Sequence, residues 1–226
     1  MQASQIYFIG DVHSVQPCTR LCRDIPQGST VIQVGDLGVW DEPRVWRDID
    51  DLNRVLEKRN LNLYAIRGNH DQFDCFSETR NIGRVHLLAD YTEKVFGGLR
   101  FLFIGGGFSV DRSARLKYNW PFDPNEPMIY RKTTPCDILC SHTGPRRFLT
   151  ELLTFPIDRY YAIDANLRED LQREQDMVDD ILRDCKPKVH VWGHFHVSNR
   201  TYDPTLGTIF QCLDIEEVKT LEAIRS

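Results

Sequence analysis

The sequence predicts an α/β fold, and three observations in its first 71 residues indicate this. Short apolar runs of strand length alternate with segments whose apolar residues recur at helical spacing. Three such apolar runs occur, and each is followed at once by polar side chains that can bind a metal ion. Such an order is typical of a sheet with helices on its faces, in which ligands bind beyond the carboxyl ends of the strands.

This first part is predicted to contain three buried strands and two helices. The apolar runs are nearly continuous, as in parallel strands that are buried on both faces. Pro17 suits the first turn of the first helix, and Pro26 and Gly28 end that helix. The second helix keeps its apolar residues on one face and its charges on the other. The predicted strands are 5–9, 30–34 and 61–66, and the second predicted helix is 43–59.

The rest of the chain is less regular. Strand-like runs over 84–88, 92–96 and 99–104 are separated by turns, which predicts a meander added to the sheet system. Residues 105–135 open with three glycines and become rich in Pro, Asn and aromatic residues, so we expect a loop or lid there. The remaining predicted elements are a strand over 137–140, a helix over 165–185 capped by Asp164, a strand over 189–192 and a hairpin over 200–215.

Length, charge and cysteine content limit the class of protein. A chain of 226 residues suits one domain over 1–226. The net charge of -5 argues against general nucleic-acid binding, which needs a basic surface, whereas bound cations would still allow a phosphate substrate. Because no apolar run has membrane length and the amino terminus lacks a leader pattern, we expect a cytoplasmic protein without a membrane partner. The seven cysteines lack Cys-x-x-Cys spacing and are expected to be reduced thiols; the oligomeric state stays open.

Side chains with nitrogen or oxygen donors follow five of the predicted strands. Each alone has an ordinary alternative, such as a helix cap or a core histidine. Burying all of them together without a metal would leave several polar groups unsatisfied. Two divalent ions with about four protein ligands each need about seven side chains if one carboxylate binds both ions. The lack of thiolates favours Mn, with Fe or Zn as alternatives. The candidate ligands are Asp11, His13, Asp36, Asn69, His142, His194 and His196.

The order of these motifs resembles the calcineurin-like metallophosphoesterase superfamily. The resemblance implies an αββα sandwich of two mixed β-sheets flanked by helices, with a dinuclear metal site at the strand carboxyl ends. It also implies that Asp36 bridges the two ions and that His70 is catalytic, facing the scissile phosphate and assisting the leaving oxygen. One ion would be held by Asp11, His13, Asp36 and His196, and the other by Asp36, Asn69, His142 and His194. The blocks that carry the resemblance are Asp11-x-His13, Gly35-Asp36, Gly68-Asn69-His70-Asp71, His142 and Gly193-His194-x-His196.

The implied activity is that of a metal-dependent phosphoric ester hydrolase. Such an enzyme hydrolyses a phosphate mono- or diester by in-line attack of a metal-bound hydroxide. Two alternatives are a catalytically silent scaffold of the same fold and a protein serine/threonine phosphatase. The phosphatase branch is disfavoured because Asp36 runs into Leu37-Gly38-Val39-Trp40, which lacks the arginine expected there. Small-molecule or nucleotide esters are therefore the favoured substrates, and the segment 105–112 resembles small bacterial and phage-type members.

Several further residues have both a functional and a structural interpretation. Arg112 and Arg146 lie in loops after strands and could grip phosphate oxygens bidentately, or could be solvated surface residues. The glycines at 105–107 could cradle a phosphate, although a tight turn is favoured. Asp71 is expected to be a structural loop carboxylate. His190, like His86, lies inside a strand run and is expected either to pack there or to lie on an exposed face.

Overall fold

The computed structural model describes residues 5–113, 129–148 and 158–226, which form two six-stranded mixed sheets with helices on their outer faces. The first sheet has the order β12-β1-β2-β3-β5-β4. Its four inner strands run parallel to one another, and β4 and β12 close the two edges in antiparallel orientation. These strands are β1 (Ile6–Ile9), β2 (Thr30–Gln33), β3 (Asn62–Ala65), β4 (Arg80–Ile82), β5 (Val85–Leu87) and β12 (Val218–Thr220).

The second sheet follows the same plan, in the order β10-β11-β9-β8-β7-β6. Its inner strands β7, β8, β9 and β11 are parallel, and β6 and β10 are the antiparallel edge strands. The strands are β6 (Thr92–Phe96), β7 (Leu99–Ile104), β8 (Ile138–Ser141), β9 (Val189–Trp192), β10 (Asn199–Asp203) and β11 (Thr208–Cys212).

Local sequence explains where the second helix begins and where two of the helices end. The second begins on Pro43, whose missing N–H costs nothing in a first turn, and ends at Asn60 in the left-handed conformation. The long helix near the carboxyl end stops in the same way, at a left-handed Lys186. The helices are α1 (Val15–Cys22), α2 (Pro43–Arg59), α3 (Asp158–Ile163), α4 (Leu167–Cys185) and α5 (Leu221–Arg225), and 3₁₀ turns cover Phe73–Cys75 and Arg146–Phe148.

Three apolar clusters hold these layers together. The first lies between α1, α2 and one face of the first sheet, and includes Ile49 and Leu63. The second lies between the two sheets, where Phe8 of β1 shares a cluster with Phe103 of β7. The third packs α4 on the outer face of the second sheet, around Trp192. This order of layers is the predicted αββα sandwich, and its burial is the main source of stability.

Some predictions about individual elements are wrong. The three runs after residue 84 do not form one meander, because β5 joins the first sheet beside β3, and only β6 and β7 form a hairpin, in the second sheet. Asp164 does not cap α4; Asn166 occupies that position, and the Asp164 carboxylate binds Arg112 instead. The edge strands β4 and β12 and the helix α5 were not predicted.

The predicted lid over 105–135 lies partly outside the described residues, which exclude 114–128. Of its described residues, 105–111 and 129–135 contain no helix or strand, and 112–113 are helical. The seven cysteines are free thiols, and six of them are buried. Among the described residues, no helix combines the length and the apolar character needed to cross a membrane.

Candidate metal centre

The candidate ligands converge from both sheets onto one edge of the sandwich. Asp11, Asp36 and Asn69 follow β1, β2 and β3 of the first sheet. His142 and His194 follow β8 and β9 of the second sheet. Because the carboxyl ends of parallel strands meet at the same edge, side chains far apart in sequence come together there.

Four of these side chains form a group that could hold one metal ion. Their potential ligand atoms all lie within 4.8 Å of one another, and the group consists of Asp11, His13, Asp36 and His196. His196 Nε2 lies 3.2 Å from Asp11 Oδ2, and His13 Nδ1 lies 3.6 Å from Asp36 Oδ2. Both carboxylates are almost completely buried, which is costly for a charged group unless cationic partners compensate.

The electrostatics of this group favour an ionised carboxylate beside a histidine. Burial alone would raise the pKa of Asp11, but hydrogen bonds with the His196 side chain and from the His194 backbone N–H hold that pKa below its usual value. The hydrogen bond with Asp11 raises the pKa of His196 against the effect of burial. A divalent ion held by these side chains would likewise compensate the buried negative charge.

Of the three other candidate ligands, His142 lies next to the second oxygen of Asp36, and Asn69 and His194 lie next to His142. His142 Nε2 is 3.4 Å from Asp36 Oδ1 and 2.9 Å from Asn69 Oδ1, and the rings of His142 and His194 are 4.9 Å apart. Asp36 therefore has one oxygen near each group, as a bridging carboxylate requires.

The tautomer of His142 fits a metal ligand. Burial lowers the pKa of His142, which favours the neutral ring, and Nδ1 lies 2.9 Å from the Val34 carbonyl, to which it donates. Nε2 then presents a lone pair toward Asn69 Oδ1. The amide nitrogen of Asn69 donates to Ser109 Oγ, so its amide oxygen is the atom that faces His142. Two acceptors facing each other at this distance repel, and a cation between them would relieve the repulsion. The residues present thus fit a dinuclear site.

Glycines beside the ligands provide the room for this convergence. A Cβ on Gly68 would collide with Asp36 Oδ1, and a Cβ on Gly193 would collide with Asp11 Oδ1. In each case the glycine of one motif accommodates the carboxylate of another. The glycines at 105–107 serve a similar purpose, since Gly106 lies against the Arg67 guanidinium and Gly107 against His142.

Asp71 is a structural loop carboxylate, as predicted. Its two oxygens accept hydrogen bonds from four backbone N–H groups at 2.7–3.2 Å. Three of these donors belong to residues 37–39 after β2, and the fourth is Gly68 after β3. Asp71 therefore joins the two loops that carry Asp36 and Asn69. Of the two roles expected for His190, the structure shows packing: the ring is buried with Nε2 2.6 Å from Ser141 Oγ, and burial lowers its pKa to about 3.

A cavity of ≈ 520 Å³ opens beside the ligands. His70 lines it with a side chain that is 24% exposed, and its Nε2 lies 3.9 Å from Asp36 Oδ2. Its backbone N–H also donates to Asp36 Oδ1 at 2.7 Å. The described lining residues are His13, Asp36, Asn69, His70, Val110, Asp111, Arg159, Tyr160, His194, Phe195 and His196.

The two arginines that the sequence suggested as substrate contacts are not among these lining residues. Arg112 is buried, and its guanidinium binds Asp164 at 2.6 Å and Asp170 at 2.7 Å. Arg146 forms an exposed ion pair with Asp176 at 3.2 Å. Both guanidinium groups are thus engaged by carboxylates, and their role in binding substrate stays a prediction.

Sequence reasoning missed five of the described residues that line the cavity; one of them, Phe195, lies between two candidate ligands. Arg159 and Tyr160 belong to the short helix α3, which carries no sequence motif. Asp111 and Val110 follow β7, so the rule that polar residues after a strand reach the site could have identified Asp111.

Comparison with known proteins supports the interpretation of the motifs. A family model described as calcineurin-like phosphoesterase matches residues 4–198. A search of curated proteins found no match. Among solved structures, phosphopantetheinyl hydrolase from Mycobacterium tuberculosis is similar, with a TM-score of 0.51, 12% identity, and coverage of 95% of this chain and 90% of that one. A 5'-nucleotidase precursor from Thermus thermophilus has a TM-score of 0.45 and 12% identity, and the match covers 96% of this chain and 50% of that one. At these identities the structural likeness concerns the fold alone.

Proposed function

Because the chain belongs to the calcineurin-like phosphoesterase family, we propose that it is a dinuclear-metal hydrolase of phosphate mono- or diesters. The observation that carries the proposal is the group Asp11, His13, Asp36 and His196, whose ligand atoms lie within 4.8 Å of one another at the wall of a cavity. Buried carboxylates and neutral imidazoles are suitable ligands for Mn, and also for Fe or Zn.

The seven ligands are proposed to form two sets that share Asp36. When bound, two divalent ions supply an activated water and neutralise charge on the phosphoryl oxygens for in-line displacement. The first set is Asp11, His13, Asp36 and His196, and the second is Asp36, Asn69, His142 and His194.

The chain itself supplies orientation and proton transfer. The backbone N–H of His194 holds both oxygens of Asp11 at 3.0 Å, and that of His70 holds Asp36 Oδ1. These hydrogen bonds fix the carboxylates before any ligand arrives, which lowers the cost of reaching the reactive geometry. The His70 ring lies in the cavity wall, where it can protonate or stabilise the departing oxygen.

The nature of the loop after Asp36 supports a small substrate rather than a phosphoprotein. Leu37 and Val39 are completely buried, and the backbone N–H groups of 37–39 bind Asp71. Residues 37–40 contain no arginine, so this loop offers no guanidinium to a phosphate. Hydrolysis of phosphopeptides by the protein would contradict this interpretation.

The test is metal analysis followed by hydrolysis assays. Protein purified without chelator should contain about two divalent ions per chain, and with added Mn²⁺ it should hydrolyse aryl phosphates or aryl phosphodiesters. Asp36→Asn should remove both the metal and the activity, because the bridging carboxylate is lost. The panel should include cyclic nucleotides, dinucleoside polyphosphates and phosphopeptides. Metal-replete wild-type protein that is inert on every ester would contradict an enzyme and favour a scaffold of the same fold.

A further inference from the structure

The cavity has a second group of lining residues on elements that carry no metal ligand. Val110 and Asp111 come from the loop after β7, and Arg159 and Tyr160 come from α3. Arg159 is the one lysine or arginine among the described lining residues. A phosphate ester bound at the metal ligands would share this cavity with the Arg159 guanidinium.

The guanidinium of Arg159 is held in place but is not neutralised. Its Cζ lies 4.6 Å from the centre of the Tyr160 ring, and Nη2 donates to the Tyr160 hydroxyl at 2.6 Å. Within the described residues no carboxylate lies within 4.0 Å of it, in contrast to Arg67, Arg112 and Arg146. A guanidinium has five N–H donors, so several stay available for an anion.

The helix that carries Arg159 is anchored by a small core of its own. Tyr160 packs against a cluster that includes Phe108 and Leu171, so it links α3 to the loop after β7 and to α4. The buried Arg112 strengthens this link, because it binds Asp164, just after α3, and lies over the Phe108 ring. The position of Arg159 is therefore set by packing.

Phosphate monoesters and diesters offer Arg159 different charges and different numbers of oxygens. The phosphoryl group of a monoester is a dianion with three unesterified oxygens, whereas that of a diester is a monoanion with two. Arginine binds such oxygens through charge-assisted, often bidentate hydrogen bonds. We propose that Arg159 binds phosphoryl oxygens of the substrate and makes the protein a phosphomonoesterase by preference, an inference that rests on the proposed function.

The matched test compares a monoester and a diester that have the same leaving group. Arg159→Ala should lower kcat/KM for 4-nitrophenyl phosphate roughly 10–100-fold, since hydrogen bonds to charged groups have about this effect. For methyl 4-nitrophenyl phosphate the change should stay below about threefold. Arg159→Lys should retain part of the kcat/KM that Arg159→Ala loses, because the lysine ammonium keeps the positive charge but not the planar donor geometry of the guanidinium.

Arg168 provides the control from the same region. It lies over the Tyr161 ring at 4.2 Å, as Arg159 lies over Tyr160, but it is paired with Asp158 and is not among the described lining residues of the cavity. Arg168→Ala should therefore leave both rates unchanged. Equal losses on the two esters in Arg159→Ala, or no loss on either, would overturn the inference.

A binding measurement separates this inference from the proposed function. Calorimetry on the Mn-loaded protein should show that Arg159→Ala weakens inorganic phosphate binding roughly tenfold, with dimethyl phosphate little affected. Wild-type protein that loads metal but hydrolyses no ester would refute the proposed function, and phosphate affinity alone would then decide the role of Arg159. Unchanged phosphate affinity in Arg159→Ala would refute that role.

Discussion

Four of the seven candidate ligands adopt backbone conformations that few side chains tolerate. His13, Asp36, His194 and His196 all have φ between 51° and 69°, in the left-handed region. Each such residue costs about 1 kcal/mol relative to a right-handed one. The cost is offset locally, because the N–H groups of Val12 and His13 both donate to the Asp36 carbonyl. Strain of this kind persists at functional sites where the surrounding structure over-determines it.

At the residue scale, His70→Asn tests the division between metal binding and proton transfer. The substitution removes a ring that lines the cavity 3.9 Å from Asp36 and leaves all seven proposed ligands in place. We expect metal content to be unchanged and kcat to fall on the order of 10²–10⁴-fold, the usual effect of an acid-base group. The measurement is single-turnover hydrolysis of an alkyl phosphate, whose leaving group needs a proton.

An aryl ester with a good leaving group is the control for this variant. Because such a group departs without full protonation, its hydrolysis should depend less on His70. If His70→Asn retains full turnover on the alkyl ester, the ring does not assist the leaving oxygen.

Sequence reasoning identified the residues of this site unequally, for a physical reason. The side chains of Asp11 and Asp36 follow apolar strand runs directly, so local pattern alone placed them at the carboxyl edge of a sheet. Arg112 lies further along the segment after a strand, and its partners Asp164 and Asp170 lie more than fifty residues beyond it in the chain. A pairing between distant segments has no local signature. The same holds for Arg159, which reaches the cavity on a helix without a motif.

At the element scale, the loops after β2 and β3 behave as one unit because Asp71 joins them. The carboxylate accepts hydrogen bonds from residues 37–39 and from Gly68, all buried. In Asp71→Asn an amide N–H₂ would face backbone donors. We expect the free energy of unfolding of the metal-free protein to fall by about 2–4 kcal/mol, as for buried donors that lose a charged acceptor. Urea denaturation measures this change.

Asp74→Asn is the matched control, because Asp74 lies in the same loop but is exposed. Its effect should stay within about 0.5 kcal/mol. Equal stability of the two variants would show that Asp71 does not hold the loops together.

The elements themselves were predictable where the sequence has a pattern of adequate length. The bounds of α2, β6, β7 and β9 agree with those expected from apolar spacing. Strands of three residues, such as β4 and β12, are too short to show a period of two. The sheet to which β5 belongs was predicted wrongly, because strand pairing depends on the partners available in the folded chain rather than on the strand itself.

At the scale of the whole molecule, the site depends on how two sheets meet. They share an apolar core in which Phe8 and Ile32 of the first sheet lie in one cluster with Phe101 and Val191 of the second. Each sheet then contributes ligands at its carboxyl edge, so two bound metal ions would connect the two sheets there. Metal binding and the packing of the sandwich should therefore be coupled.

The corresponding prediction concerns thermal unfolding with and without metal. A ligand that binds only the folded state stabilises it by RT ln(1 + [L]/Kd), or about 2.7 kcal/mol at a hundredfold excess over Kd. Chelator-treated wild-type protein should therefore gain several degrees in Tm when Mn²⁺ is added, measured by scanning calorimetry. His70→Asn should show the same gain, because it keeps the proposed ligands. Asp36→Asn should show almost none, because the carboxylate shared by both ion sets is lost. An equal gain in Asp36→Asn would mean that Mn²⁺ stabilises the protein from another site and that the two sheets are not joined by metal at this edge.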